Sequence, residues 1–83
     1  MRAVVPEKFV RQRADAPPAV QRSFIKRLGY LLRDLRHHSL DAHKYPESGD
    51  PELWQARANG GWRFYFRIEG DAYVLDSIRS HPQ

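Results

Sequence analysis

Apolar positions in the first half of the chain recur with the period of an α-helix. Five of them follow one another at steps of four, four, three and four: Val20, Phe24, Leu28, Leu31 and Leu35. This spacing predicts one apolar face of a long amphipathic helix. Pro18 suits the first turn of that helix, because a proline there lacks only an N–H that would have no partner in any case. We expect the apolar face to pack on a sheet.

A shorter helix is predicted before it, after a candidate strand over residues 3–5. Pro6 fits the start of this helix. It must end near Ala16, because a residue followed by proline avoids the α region. We expect the helix to bury Phe9 and Val10.

The long helix carries a basic ridge on the side opposite its apolar face. The ridge consists of Arg22, Lys26, Arg33 and Arg36, at steps of four, seven and three. A solvated surface is the ordinary explanation, since exposed helix faces are commonly charged, and contact with a polyanion is the alternative. Gly29 costs this helix about 1 kcal/mol relative to alanine. We therefore expect its backbone to approach the sheet closely.

From Glu52 onward the period changes to two, which predicts strands. In the first strand, Trp54, Ala56 and Ala58 alternate with Leu53, Gln55 and Arg57. In the second, Trp62, Phe64, Phe66 and Ile68 alternate with Arg63, Tyr65, Arg67 and Glu69. Residues 72–80 form the last strand. The proline-rich loop over 45–51 separates the helical half from the strand half, and neither half has enough apolar residues to fold alone. We therefore predict one domain over residues 1–83.

The expected fold class is α+β. Two N-terminal helices would pack on one face of a three- or four-stranded antiparallel sheet, and the opposite face would be polar and basic.

Loop lengths indicate which side chains share a face, since a one-residue slip in register exchanges the two faces. A two-residue turn at Asn59-Gly60 would mix apolar and charged residues, whereas a three-residue loop over 59–61 separates them. The longer loop pairs Ala58 with Trp62, Ala56 with Phe64 and Trp54 with Phe66 on the core side. On the other side it pairs Arg57 with Arg63, Gln55 with Tyr65 and Leu53 with Arg67.

A three-residue loop over 69–71 is likewise predicted for the second hairpin. It pairs Phe66 with Val74 and Trp62 with Ile78. It also puts Asp76 opposite Phe64 on the core face, a conflict that a bulge in the last strand would relieve.

Arg57 and Arg63 then lie directly opposite each other on the exposed face, where like charges repel. An anion held between the two guanidinium groups would explain this arrangement. An acidic side chain between them, such as Glu52, is the alternative.

The charge balance favours a polyanionic partner. The chain has 14 Lys and Arg against 10 Asp and Glu, a formal net charge of +4, and arginine outnumbers lysine eleven to three. A guanidinium binds two phosphate oxygens at once, which an ammonium cannot match. A charge this modest also occurs in small proteins that bind nothing acidic, so nucleic acid is one of two possibilities at this point.

Several classes of site and compartment are excluded or disfavoured. The sequence has no cysteine, which excludes disulfides, thiolate nucleophiles and cysteine-based zinc sites. It has no signal-peptide pattern and no run of 18 apolar residues, so we expect a cytoplasmic protein without membrane contact. His37, His38 and His43 suggest a metal, but His37 and His38 are adjacent and no carboxylate recurs at ligand spacing. We expect neither a metal nor a cofactor.

Three short segments follow the two predicted helices in a characteristic order: Trp54-x-x-Arg57, Trp62-Arg63-Phe64-Tyr65-Phe66 and a closing Ile78-Arg79-Ser80-His81. This arrangement, which covers about residues 9–81, resembles the RelE/ParE toxin superfamily and is nearest to its RelE, YoeB and HigB-like ribonucleases. The resemblance implies a toxin that cuts mRNA, often in the ribosomal A site, and so inhibits translation. It also implies an acidic antitoxin that silences the toxin by covering its active face.

The resemblance assigns catalytic roles to three residues. They are Arg63 on the strand, the C-terminal His81, and Lys44 in the loop after the second helix. Pro82 departs from the family, because several members have a tyrosine at or near this position, and the proton donor for the leaving group therefore stays unassigned. We expect RNA to be bound by Tyr65, which would stack a base, and by Arg57, Arg67, Arg79, Arg22, Lys26 and Arg33.

The chemistry of RNA cleavage also fits these residue types. Attack by the RNA's own 2′-hydroxyl needs a proton acceptor, cations that stabilise the dianionic phosphorane, and a proton donor for the departing 5′-oxygen. Histidine suits either proton transfer near neutral pH, and arginine supplies fixed charge. We predict a metal-independent endoribonuclease. The alternatives are a ParE-like toxin that inhibits DNA gyrase and a non-catalytic RNA-binding module.

Overall fold

The structure is a computed structural model, and it describes residues 1–80. In this range the chain forms β1 (Arg2–Val4), α1 (Glu7–Asp15), α2 (Pro18–Arg33), β2 (His43–Lys44), β3 (Trp54–Asn59), β4 (Trp62–Glu69) and β5 (Ala72–Ser80). Two single turns of 3-10 helix, His38–Leu40 and Pro46–Ser48, flank β2. In the same range, no helix has the length and apolarity needed to cross a membrane.

The strands form a five-stranded sheet in the order β1-β5-β4-β3-β2. All neighbours run antiparallel except β1 and β5, which are parallel. The α+β class with two N-terminal helices is confirmed, but the expectation of three or four antiparallel strands is wrong. A strand of two residues, such as β2, is too short to show alternation in the sequence. Parallel strands need a long connection. β1 can run parallel to β5 because both helices follow β1 in the sequence before the other strands begin.

Both predicted helices are present, but α2 ends at Arg33, so Leu35 and Arg36 follow the helix and do not extend its apolar face and its basic ridge as predicted. Phe9 of α1 is buried, as are Val20, Phe24 and Leu31 of α2. Val10 is 40% exposed, so its predicted burial is wrong. The nine-residue α1 turns Phe9 toward the core and leaves Val10 on its outer side.

Gly29 does not approach the sheet. Nothing lies within 4 Å of the place where a Cβ would stand, so the expectation of a close backbone approach is wrong. Ile25 and Leu32, four residues before and three after it, are exposed by 53% and 36%. Gly29 therefore lies with them on the outer side of α2.

The core lies between the helices and one face of the sheet. The ring centroid of Phe24 is 5.2 Å from that of Phe9 and 5.1 Å from that of Phe64, which it meets edge-on. Phe66 continues the cluster, 5.5 Å from Tyr73 and again edge-on. Edge-to-face contacts are favourable for aromatic pairs. Burying one such ring contributes about 1.5–3 kcal/mol, so this cluster determines which face of the sheet the helices cover.

The first hairpin has the predicted register over most of its length. The pairs are Trp54 with Phe66, Gln55 with Tyr65, Ala56 with Phe64 and Arg57 with Arg63. Trp62, however, pairs with Asn59 and not with Ala58, because a bulge interrupts the ladder between Arg57 and Asn59.

The second hairpin differs from the predicted register. Glu69 pairs with Ala72 across a two-residue turn in which Gly70 has a φ of 60°, so the three-residue loop over 69–71 is wrong. The observed pairs are Phe66 with Leu75, Phe64 with Ile78 and Trp62 with Ser80, in place of the predicted partners Val74, Asp76 and Ile78.

The two-residue turn shifts the register by one position, and a bulge at Asp76 shifts it by one more. Leu75 and Ile78 both belong to the core, although three positions separate them and strand faces alternate every residue. Phe66 pairs with Leu75 and Tyr65 with Ser77, which leaves Asp76 as the extra residue. The bulge removes Asp76 from the core face. It thereby resolves the predicted conflict of a carboxylate opposite Phe64.

Candidate functional site

The face of the sheet away from the helices forms a polar and basic surface, which we call the open face. Its side chains come from β3, β4 and β5: Gln55, Arg57, Arg63, Tyr65, Arg67, Ser77 and Arg79. No pocket is present in the part of the chain that the structure describes. Any ligand of this face therefore meets an open surface.

Arg57 and Arg63 lie opposite each other on this face, as predicted. The Nη2 of Arg57 lies 3.8 Å from an Asp41 carboxylate oxygen. Asp41, and not Glu52, is therefore the acidic residue near the pair. Arg63 donates through Nη1 to the backbone oxygens of Gly60, at 2.8 Å, and Trp62, at 3.1 Å. These bonds orient its guanidinium but do not neutralise its charge.

A third arginine, Arg27 of α2, lies near Arg57 and Arg63, and we call these three residues the positive cluster. Burial lowers the pKa of Arg27, and the nearby charges of Arg57 and Arg63 lower it further. Its Nη1 donates to the backbone oxygen of Ser39 at 3.1 Å. The sequence pattern did not indicate Arg27 as a site residue. Its position directly before Leu28, at the edge of the apolar stripe, was the one available signal. From such a position a long side chain can extend along the apolar surface and keep its charged end in solvent.

Tyr65 belongs to the open face, but neighbouring side chains cover its ring. It is 2% exposed, because the Arg79 guanidinium lies 4.4 Å from its ring centroid and Tyr45 packs 5.4 Å away. A base cannot stack on this ring while Arg79 covers it, which speaks against the predicted stacking role. Burial raises the pKa of Tyr65, and the charge of Arg79 opposes that effect.

His43 joins the open face through the short strand β2. It pairs with Gln55 in the ladder, and its Nε2 lies 3.1 Å from the Gln55 side-chain nitrogen. The Tyr65 hydroxyl donates to Gln55 Oε1 at 3.3 Å. In the sequence, His43 was a candidate metal ligand only. Its position on the open face was not predictable, because two residues of strand give no periodic signal.

Lys44 lies on the other side of the sheet. It pairs with Trp54, and its Nζ lies 5.6 Å from the Trp54 ring centroid. The same nitrogen is 3.6 Å from a Glu52 carboxylate oxygen and donates to the backbone oxygen of Pro51 at 3.1 Å. The structure therefore does not bring Lys44 to Arg63, contrary to the catalytic role expected for it.

Arg67 is held between two carboxylates. It donates to Asp76 at 3.0 Å and to Asp50. The hydrogen bonds to Asp50 and Asp76 raise the pKa of Arg67. The Glu52 backbone N–H and then the Arg67 side chain lower the pKa of Asp50. The charge of Arg67 is thus offset locally, which weakens its expected role in binding RNA.

The remaining predicted residues lie elsewhere. Arg79 is exposed at the edge of the open face, whereas Arg22, Lys26 and Arg33 are exposed on the outer side of α2. The sheet and the core separate these three residues from the open face. His81 lies outside the described residues.

The histidines of the loop after α2 form a stack of rings. His37 lies 3.9 Å from Tyr30 and 4.8 Å from His38 between ring centroids. Within residues 1–80, no three His, Asp or Glu side chains come close enough together to hold a metal ion.

Sequence comparisons give no match: no protein-family model and no curated protein matches the chain. Solved structures do match its fold. A chain of the archaeal RelE–RelB complex from Pyrococcus horikoshii OT3 is similar with a TM-score of 0.77 and 17% identity, over 99% of this chain and 96% of that one.

Two further toxin structures are similar over nearly the whole chain. The isolated E. coli RelE toxin has a TM-score of 0.72 and 14% identity, over 98% of this chain and 84% of that one. The YoeB dimer from Staphylococcus aureus has a TM-score of 0.78 and 10% identity, over 99% of this chain and 98% of that one. The chain therefore has the fold of the RelE and YoeB toxins, and the resemblance noted in the sequence is confirmed at the level of the fold.

Proposed function

We propose that this chain is the toxin of a toxin–antitoxin pair and that it acts as a metal-independent endoribonuclease on mRNA. One observation carries the proposal. The open face brings Arg57 and Arg63 together with the chain of His43, Gln55 and Tyr65, on the side of the sheet that the helices leave uncovered. Fixed cations and a proton-transfer group are what cleavage by the 2′-hydroxyl requires.

The arginines would stabilise charge. As the 2′-oxygen attacks, the phosphate becomes a crowded dianion, and preorganised cations at that point lower the barrier. Arg63 is suited to this role because the Gly60 and Trp62 carbonyls orient it and leave further N–H groups for phosphate. Arg57 and Arg27 reinforce its field without exchanging protons at neutral pH.

Two histidines would transfer protons. His43 is exposed and lies on the open face, so we assign to it the role first expected for Lys44, which requires Nε2 to leave its contact with Gln55 when RNA binds. His81, which follows Arg79 by two positions, remains our candidate for the second proton transfer. The two roles together need no metal and no cofactor.

The toxin role and its partner are supported by the fold. The similar structures include RelE–RelB and RelBE toxin–antitoxin complexes. An acidic antitoxin that covers the open face would remove the positive cluster from RNA. We place this activity in the cytoplasm, on mRNA that is free or bound to the ribosome.

Mapping the ends of the products tests the reaction. The purified chain should cut single-stranded RNA in the presence of EDTA and leave a 2′,3′-cyclic phosphate or 3′-phosphate on one fragment and a 5′-hydroxyl on the other. RNA with a 2′-deoxy group at the scission site should bind and stay intact. A 5′-phosphate that forms only with Mg²⁺ would refute the mechanism, and binding without any cleavage would favour a non-catalytic RNA-binding module.

The matched variants are Arg63→Ala and Arg2→Ala, which remove the same charge. Arg63→Ala should lower the cleavage rate by roughly 10²-fold or more, because it removes a preorganised cation from the phosphorane. Arg2 lies on β1 at the far edge of the sheet and pairs with Asp71, so its loss should leave the rate nearly unchanged. Similar rates for both variants would contradict the role of Arg63.

A further inference from the structure

Gln55 lies at the centre of a hydrogen-bonded chain across three strands of the open face. Its side chain is buried, with 7% exposure. Its nitrogen is 3.1 Å from Nε2 of His43 on β2, and its oxygen accepts the hydroxyl of Tyr65 on β4 at 3.3 Å. His43 Nδ1 lies 2.9 Å from the backbone oxygen of Asp41. The chain thus joins an exposed imidazole to a buried phenol.

The partners determine the direction of every bond in this chain. The Asp41 carbonyl can only accept, so Nδ1 of His43 must carry a proton. The Gln55 nitrogen can only donate, so Nε2 of His43 must accept. His43 is therefore neutral in this arrangement, with its proton on Nδ1. The Tyr65 hydroxyl points inward to Gln55 and not outward to the open face.

Protonation of His43 is incompatible with this arrangement. An imidazolium has an N–H at both positions, so Nε2 would meet the Gln55 nitrogen donor to donor. A half-turn of the Gln55 amide removes the conflict by presenting the oxygen to His43. The amide nitrogen then faces Tyr65, whose oxygen accepts, and the Tyr65 O–H becomes free to donate outward.

We infer that Gln55 is a positioning residue that couples the protonation of His43 to the direction of the Tyr65 hydroxyl, so that Tyr65 donates to a phosphate on the open face only when His43 is protonated. The inference rests on the proposed function for the identity of that anion, an RNA phosphate. The two states of the amide do not depend on it. In the protonated state, a phosphate beside Arg63 and Arg79 gains one more donor.

The charged and titratable neighbours fit this coupling. Asp41 lies on the loop before His43, and its carboxylate is near Arg57. Tyr45 packs against Tyr65, and Arg79 covers the Tyr65 ring. Burial raises the pKa of Tyr65, so the phenol keeps its proton across the range in which histidines titrate.

NMR on the isotope-labelled full chain tests the two states without cleavage. At high pH, the nitrogen shifts of His43, assigned by comparison with His43→Asn, should report the Nδ1–H form. The side-chain amide signals of Gln55 should then move with the same pH midpoint as His43. An Nε2–H form at high pH, or Gln55 signals that ignore the His43 titration, would overturn the inference.

Inorganic phosphate provides the second test. It should shift the His43 titration midpoint upward by about one pH unit in the wild type, the equivalent of one charge-assisted hydrogen bond. Tyr65→Phe keeps every charge, so its shift reports the Coulomb attraction alone and should be less than half as large. An equal shift in both proteins would refute the coupling.

Gln55→Glu separates the two ends of the chain. A carboxylate accepts from both neighbours, so His43 should stay protonated to higher pH while the Tyr65 hydroxyl stays directed inward. Phosphate should then shift the His43 midpoint no more than it does in Tyr65→Phe. A full wild-type shift in Gln55→Glu would show that the amide does not transmit the effect. Because these signals are measured without RNA, failure of the nuclease proposal would leave them intact.

Discussion

Neighbouring side chains decide which arginines of β4 are available to an anion. Arg63 contacts backbone carbonyls, which orient it without cancelling its charge. Arg67 lies on the same face, four residues further along β4, between the carboxylates of Asp50 and Asp76. The two residues occupy equivalent positions in the strand pattern, so their difference depends on a loop residue and a bulge residue far from them in sequence.

Asp50 connects the loop before β3 to this arginine. The Glu52 backbone N–H donates to it at 2.9 Å, Arg67 pairs with it, and both contacts lower the pKa of Asp50. Because the folded-state pKa is lowered, the carboxylate stabilises the fold above the unfolded value of about 4, and this stabilisation is lost as the pH falls through the folded-state pKa.

We therefore expect Asp50→Asn to lower the free energy of unfolding at neutral pH and to flatten its decline in acid. Urea denaturation near pH 7 and near pH 3 measures both effects. Asp15→Asn, at the exposed end of α1, removes the same charge and should keep the wild-type dependence on pH. A wild-type acid slope in Asp50→Asn would contradict the assignment.

At the scale of elements, the bulge in β5 determines what the open face contains. It places Ile78 in the core and Ser77 and Arg79 on the open face, opposite Tyr65 and Arg63. In a regular strand of the same sequence, Leu75 and Ile78 are three positions apart and would point to opposite faces, so the bulge is what brings both into the core.

Deleting Asp76 should therefore restore a regular ladder with the same faces. We expect this variant to unfold in one cooperative transition and to lose roughly 1 kcal/mol or less with the partly exposed Arg67–Asp76 ion pair. Deleting Val74, in the regular part of β5, should instead put Tyr73 and Leu75 on opposite faces and abolish cooperative unfolding. Thermal denaturation followed by circular dichroism compares them, and equal damage from both deletions would contradict the bulge assignment.

The helix α2 offers a test of the correction at Gly29. A methyl group there meets nothing within 4 Å, and alanine restricts the unfolded chain more than glycine does. Gly29→Ala should stabilise the protein by about 0.5–1 kcal/mol, which raises the Tm by about 2–8 °C.

Gly70→Ala is the matched control for Gly29→Ala. Gly70 has a φ of 60°, which strains an alanine, so this variant should lower the Tm. A lower Tm for Gly29→Ala would indicate a neighbour that the structure does not show.

These elements also show which parts of the fold can be predicted from the sequence. Long periodic segments such as α2 and β4 were predictable, because many residues repeat the same signal. The candidate strand over residues 3–5 is confirmed as β1, shifted by one residue, whereas β2 was not predictable, since two residues carry no period. The second register failed at the turn, because the alternation of β5 breaks at Asp76 and therefore does not distinguish a two-residue turn from a three-residue loop.

At the scale of the whole molecule, the cations divide between two opposite sides. Arg57, Arg63 and Arg79 lie on the open face, and Arg22, Lys26 and Arg33 lie on the outer side of the helix layer. The sequence predicted both sets and the faces that they occupy, because the apolar side of α2 packs on the sheet and the basic side of the sheet faces away from the helices. The site, in contrast, depended on contacts across the sheet. Arg63 followed from its strand, whereas His43 and Arg27 needed the structure.

The salt dependence of RNA binding distinguishes the two sides. For single-stranded nucleic acid, log K falls against log salt with a slope of about −0.7 for each phosphate neutralised. Three open-face arginines therefore predict a slope near −2 for a 2′-O-methyl RNA oligonucleotide, which the chain should bind without cutting. Arg57→Gln should make the slope shallower by about 0.7, whereas Lys26→Gln, with the same change in net charge, should leave it unchanged because RNA on the open face does not reach α2. Titrations by fluorescence anisotropy over a series of salt concentrations measure both variants. If Lys26→Gln lowers the slope and Arg57→Gln does not, RNA binds the helix side and the open face is not the nucleic-acid interface.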